Sequence, residues 1–159
     1  KRASLAGQRR DHAVPAQAGD VDGAIGDFDR AIALNPRYAQ AYHSRANARH
    51  TKKDLAGAIS DYTRAIELND RFALSWHNRG TARKDKGELR EAVADFDRAI
   101  KLDPNRAVTW AHRGLTLLMQ GREAEAEKDF ARALELDPDL KNSLNAHIDQ
   151  ARKQRAAIH

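Results

Sequence analysis

A pattern that returns every 34 residues constrains this chain more than anything else in it. Between Trp76 and Pro104, Trp76 is followed at helical spacing by the small Gly80 and by Arg83. A Gly87-Glu88 break comes next, and then Ala92, Phe96 and Ala99 share one face of a second helix that Pro104 stops. One period earlier the pattern is carried by Tyr42, Ala58, Tyr62 and Ala65, and one period later by Trp110, Gly114, Gly121, Ala126, Phe130, Ala133 and Pro138. One helix-turn-helix hairpin cannot bury such rings alone, whereas stacked neighbours can, so the pattern predicts an all-α array of repeats.

The helix bounds follow from the punctuation. Asp20 and Asp54 are placed to cap helices over 21–34 and 55–68. First-of-pair helices are expected over 40–52, 74–86 and 108–120, and later second-of-pair helices over 89–102 and 123–136. Asn35-Pro36, Asp103-Pro104 and Asp137-Pro138 end three of the second helices, because proline disfavours helical geometry in the residue before it. Asn69-Asp70 lacks the proline, so that junction is expected to be held less firmly. Gly80 and Gly114, with Ala46 in the same place, let the paired helix approach, as do Ala58, Ala92 and Ala126 from the other side. The rings of Phe28, Tyr42, Tyr62, Trp76, Phe96, Trp110 and Phe130 are expected to fill the remaining core. Leu144, Ile148 and Ala151 repeat the first-helix spacing on an otherwise polar segment, as a solubilising cap requires.

These positions resemble the tetratricopeptide repeat family in unit length, aromatic and small-residue placement and closing proline, over residues 21–140. The resemblance implies an all-α, right-handed superhelical solenoid of helix-turn-helix repeats with a C-terminal capping helix. It implies one domain over 1–159: the second helix of repeat 1 at 21–38, repeats 2 to 4 at 39–72, 73–106 and 107–140, and a cap at 141–159. Residues 1–20 match poorly, since Gln8, His12 and Pro15 stand where Trp76, Gly80 and Arg83 stand later. They are expected to be frayed or irregular. The sharper alternative is a longer array cut within a repeat, leaving an edge able to meet another copy. The chain opens on Lys1 rather than Met and is expected to be a fragment or a processed form.

Charge argues against nucleic acid. The net +5 arises from four bases against two acids in residues 1–20 and four against one in 141–159, while residues 21–140 balance 20 against 20. A nucleic-acid binder should show a basic face along its body. No apolar run approaches the ~20 residues of a membrane span. The absence of cysteine removes disulfides and thiolate chemistry. The compartment is left open.

Catalytic motifs are missing too. Gly19, Gly23 and Gly26 lack dinucleotide spacing, and there is no phosphate loop or His-Glu-x-x-His. Asp27/Asp29 and Asp95/Asp97 diverge on their helices. His43 and His50, seven apart, are ~10.5 Å apart along an axis. Together with His77 they fall short of a metal's ligand set, so no metal or cofactor is expected. Asp27, Asp61, Asp95 and Asp129 precede Arg30, Arg64, Arg98 and Arg132 by three residues, a spacing worth a few tenths of a kcal/mol and expected to form a mildly stabilising, salt-sensitive scaffold ladder rather than a ligand site. Arg45, Arg79 and Arg113 are expected to reach those same carboxylates.

The family resemblance implies a concave binding wall. It falls on Gln40, His43, Ser44, Asn47, His50 and Thr51, then on Leu74, His77, Asn78, Thr81, Lys84 and Asp85. In the last repeat it falls on Val108, Ala111, His112, Leu115, Leu118 and Met119. Some members grip carboxylates of chaperone tails with Lys, Asn, Asn, Lys and Arg. Here Asn47 and Asn78 match, but His43, Val108 and His112 occupy the cation positions, so that clamp is not expected. Leu115, Leu118 and Met119 are expected to take an apolar anchor of a peptide, or else to be covered by the terminal helix or another molecule. The function implied is a non-catalytic protein-interaction scaffold with a protein or peptide partner. The alternative is self-assembly into homo-oligomers through an open repeat edge.

Overall fold

The computed structural model describes residues 20–158. The expectations for residues 1–19 lie outside them. The described residues form eight α-helices and a 3-10 turn, without a strand among them. They fall into two compact units, one up to Leu68 and one from Asn69.

In the first unit α1 (Val21–Leu34), α2 (Ala39–Thr51) and α3 (Leu55–Leu68) pack with α2 against both neighbours. In the second, α4 (Ala73–Lys86) pairs with α5 (Leu89–Leu102) and α6 (Ala107–Met119) with α7 (Glu123–Leu136). There α5 also packs on α6, while α8 (Lys141–Ile158), entered through the turn Pro138–Leu140, packs on α6. Second-of-pair helices keep their expected bounds, and first-of-pair helices begin one residue earlier and, except for α4, end one residue earlier.

Local chemistry sets these ends. The Asp20 and Asp54 carboxylates accept the Gly23 and Gly57 amides at 2.9 and 3.0 Å, as N-caps do. Asn35, Asp103 and Asp137 leave the helix for extended geometry (φ −141°, −143° and −147°) before their prolines. Each side chain then accepts the backbone N–H two residues on. Asn69 makes the same turn with Arg71 at 3.2 Å, so its junction keeps the side-chain device but lacks the ring that restricts φ. Between paired helices Lys53, Gly87 and Gly121 occupy one repeat position, all with positive φ (65°, 89° and 82°).

Packing follows the alternation of small and large. A Cβ on Gly80 would lie 2.8 Å from the Phe96 ring and one on Gly114 2.5 Å from the Phe130 ring. Tyr62, Phe96 and Phe130 are buried. Tyr42, Trp76 and Trp110 correct the expectation of a uniform core: they are half-buried. Each ring points its polar end at the preceding turn, donating to the Pro36, Asp70 and Pro104 carbonyls at 3.0, 2.8 and 2.8 Å. Each also lies between two guanidinium groups, Arg45 and Arg64 at Tyr42, Arg79 and Arg98 at Trp76, Arg113 and Arg132 at Trp110. Phe28 is half-buried as well, and α1 has no buried residue.

The charge ladder differs from its sequence reading. Asp27 alone among the four aspartates pairs with the arginine three residues on. Arg64 and Arg132 turn instead to Glu67 and Glu135. Asp61, Asp95 and Asp129 are buried, and the first-helix arginines grip them. Arg45 and Arg79 each fork both carboxylate oxygens at 2.8–2.9 Å, with Arg49 and Arg83 adding a third contact. The first-helix arginines thus reach the carboxylates as expected, but as desolvated structural pairs in place of a mildly stabilising, salt-sensitive ladder, and removing one partner strands a buried charge.

Candidate binding face

The wall expected from the sequence lies on the first-of-pair helices. In the first unit it belongs to α2. Gln40 and Asn47 are exposed, His50 is half-buried, and His43 is buried with its ring edge-on to Tyr62. Asn47 accepts the Tyr62 hydroxyl, which fixes its amide, and Gln40 reaches Ser44 at 3.4 Å. Burial drops the His43 pKa to about 4, so the ring is neutral near pH 7.

In the second unit the wall runs along α4 and α6. Leu74, Asn78, Thr81 and Lys84 on α4 are half-buried, as are Val108, His112 and Met119 on α6. His77 and Ala111 are buried. His77 Nδ1 lies 3.0 Å from the buried Thr109 hydroxyl, and its ring meets those of Phe96 and His112 edge-on, the latter at 5.2 Å between centroids. Burial drops the His77 pKa to about 4 and the His112 pKa to about 3, with the Lys84 charge adding to both. His112 Nδ1 is buried without a hydrogen-bond partner. His43 and His112, two of the positions where a tail-gripping member carries charge, are therefore neutral rings.

The expected apolar anchor is mostly closed. Leu115 and Leu118 are buried in one cluster with Leu117, Phe130, and Leu144 and Ala151 of α8. The terminal helix covers them, and only Met119 of the three keeps partial exposure. What the sequence did not disclose is the cleft that remains beside α8. It encloses about 380 Å³ between Lys84 and Asp85 of α4, Leu115 and Met119 of α6, and the polar side of α8 at His147, Gln150 and Gln154. The Leu144-Ile148-Ala151 stripe fixed which side of α8 is buried, and hence that this polar side is left over, but not what it faces.

Among the described residues no three His, Cys, Asp or Glu side chains are grouped to hold a metal ion. None of their helices is long and apolar enough to cross a membrane.

The tetratricopeptide repeat profile matches residues 16–71 and 77–141. The chain belongs to the tetratricopeptide repeat family, whose members are interaction scaffolds without catalytic activity, and it is of that class. Its fold is similar to a crystal structure of MamA, 26% identical with a TM-score of 0.72, the match covering 78% of this chain and 72% of that one. It is also similar to the TPR domain of OM64 from Arabidopsis, 28% identical with a TM-score of 0.67, covering 73% of this chain and 95% of that one. No curated protein matches the chain.

Proposed function

We propose that the chain binds a peptide segment of a partner protein along the exposed face of its first-of-pair helices. The observation that carries this is the row Asn78, Thr81, Lys84 on α4, opposite Val108, His112 and Met119 on α6: partly exposed polar groups beside apolar ones, on rigid helices. Such a wall is preorganised, so a peptide loses its own freedom without the protein losing much. In the first unit Gln40, Asn47 and His50 offer the same kind of polar surface on α2. His43, His77, Ala111, Leu115 and Leu118 act from beneath, setting the wall's shape. A Thr81→Arg variant should lose the captured partner while melting as the parent does. Capture that survives both Thr81→Arg and Leu74→Arg overturns the reading.

The second reading, self-assembly, draws on α1. This helix has no buried residue, and Leu34 at its end is 86% exposed. An apolar edge of this kind invites another copy. Mass measured by light scattering over a hundredfold range of concentration separates the two readings, and a constant monomer removes this one.

A further inference from the structure

We propose that the cleft between α4, α6 and α8 receives one acidic side chain of the bound peptide, its carboxylate on Lys84 Nζ and its aliphatic neck against Leu115, Met119 and Ala151. The inference rests on the groove reading and adds the partner's chemistry to it.

Lys84 is the reason. The other cations near the end of α4 are all spoken for: Arg83 by Asp95 and Glu88, Lys86 by Glu88. Among the described residues the Lys84 ammonium has neither a hydrogen bond nor an ion pair. It is nonetheless half-buried, and burial pulls its pKa down; Asp85 opposes this through its charge. A desolvated ammonium with no counter-charge is costly unless something supplies one. Beyond the charge of Asp85, the surrounding groups supply none. His77 and His112 are neutral rings, and both lose proton affinity because of the Lys84 charge. On α8, His147 gives its Nδ1–H to the Ser143 carbonyl at 2.7 Å, which leaves the other ring nitrogen for the cleft side or solvent.

The rest of the lining sets the shape of the guest. At about 380 Å³ the cleft sits at the small end of ligand sites, room for a side chain or two and not for a folded element. Its apolar floor suits methylene groups, and Gln150 and Gln154 on its rim carry amides that can hydrogen-bond a peptide backbone. A single lysine offers one point of charge, so one carboxylate is expected and not the two that a tail clamp holds.

The test uses two synthetic peptides, acetyl-Ala-Leu-Glu-Leu-Ala-amide and the same sequence with Gln for Glu, titrated into the full chain with backbone amides and lysine side chains isotopically labelled. The expected result is a shift of the Lys84 signal by the Glu peptide and binding at least about tenfold tighter than the Gln peptide, as a charge-assisted bond gives. Lys84→Met should erase that difference, and Lys84→Arg should keep part of it. Equal affinity for the two peptides, or a preference that persists in Lys84→Met, overturns the inference. If both peptides perturb the Asn78 and Thr81 amides equally, the groove reading stands and the acidic pocket falls. If neither moves any amide of α4 or α6, both fall.

Discussion

The Arg113 guanidinium forks both carboxylate oxygens of Asp129, at 2.8 and 2.9 Å, and sends its third nitrogen to Asp97 at 2.9 Å. Asp129 is 4% exposed. The same Arg113 caps the Trp110 ring at 5.0 Å. One side chain thus joins the second helix of one repeat to both helices of the next, as Arg45 does between Asp29 and Asp61. Where Asp29 and Asp97 stand in their repeats, the third position in the series is Thr63.

Removing that arginine should be far more damaging than removing a surface pair. Arg113→Ala leaves Asp129 buried with no replacement cation, because the position that Arg49 and Arg83 fill in the other repeats is Leu117 here. The expected loss is about 3–5 kcal/mol in urea unfolding. Arg30→Ala, which frees only the exposed Asp27, should cost about 0–1 kcal/mol. Similar losses for the two variants would show that the fork carries no special weight.

Lys53 occupies a left-handed position that its counterparts Gly87 and Gly121 fill without a side chain. A Cβ there meets the following carbonyl, at a cost of about 1–2 kcal/mol. Lys53→Gly should therefore raise stability by roughly 0.5–1 kcal/mol after glycine's greater unfolded freedom is deducted. Gly87→Ala should lower it by a similar amount, for backbone reasons alone, since nothing lies within 4 Å of the added Cβ. Thermal melts of the two variants should move in opposite directions.

Gly114 poses the opposite problem. Its backbone is helical, so alanine would gain about 1 kcal/mol of helix propensity. Yet the new methyl would lie 2.5 Å from Phe130 Cε1, 2.7 Å from its Cδ1 and 3.2 Å from Asp129 Cβ. Phe130 is buried and has little room to retreat, so overpacking at about 1–3 kcal/mol should win and Gly114→Ala should be less stable. A gain in stability would mean that the α6–α7 contact relaxes more easily than its geometry suggests.

The repeats were legible because their causes are local or strictly periodic. A cap such as Asp20, a proline after Asn35 and the pairing of Gly80 with Phe96 each act within one hairpin, where spacing determines contact. Two things escaped that logic. The spacing from Asp95 to Arg98 permits an ion pair, but the Arg98 guanidinium lies over the Trp76 ring instead, because Asp95 turns inward to Arg79. Sequence spacing says which side chains can meet, not which competitor is better desolvated. Likewise Leu118 stands, on sequence alone, between an open anchor and a face covered by the terminal helix, because periodicity cannot tell a face covered by α8 from one left bare.

Acid should weaken the fold as soon as free histidine begins to take up protons. His77 and His112 remain neutral in the folded chain down to about pH 4 and about pH 3, whereas an unfolded histidine protonates near 6.5. His43, buried in the first unit, behaves like His77. Between these values the unfolded chain holds more protons than the folded one, so stability falls as pH falls. The contribution is whole above pH 6.5, declines from there and is gone below the folded values. For His77 the full difference is of the order of 3 kcal/mol before solvent screening reduces it. Urea midpoints measured from pH 7.5 to pH 4 should therefore drop steadily through the interval. His112→Asn should flatten the curve, since it removes the more strongly suppressed ring together with its unpaired buried nitrogen. A parent midpoint that stays level down to pH 4.5 would mean that these rings accept protons in place, with α8 yielding to let water reach them.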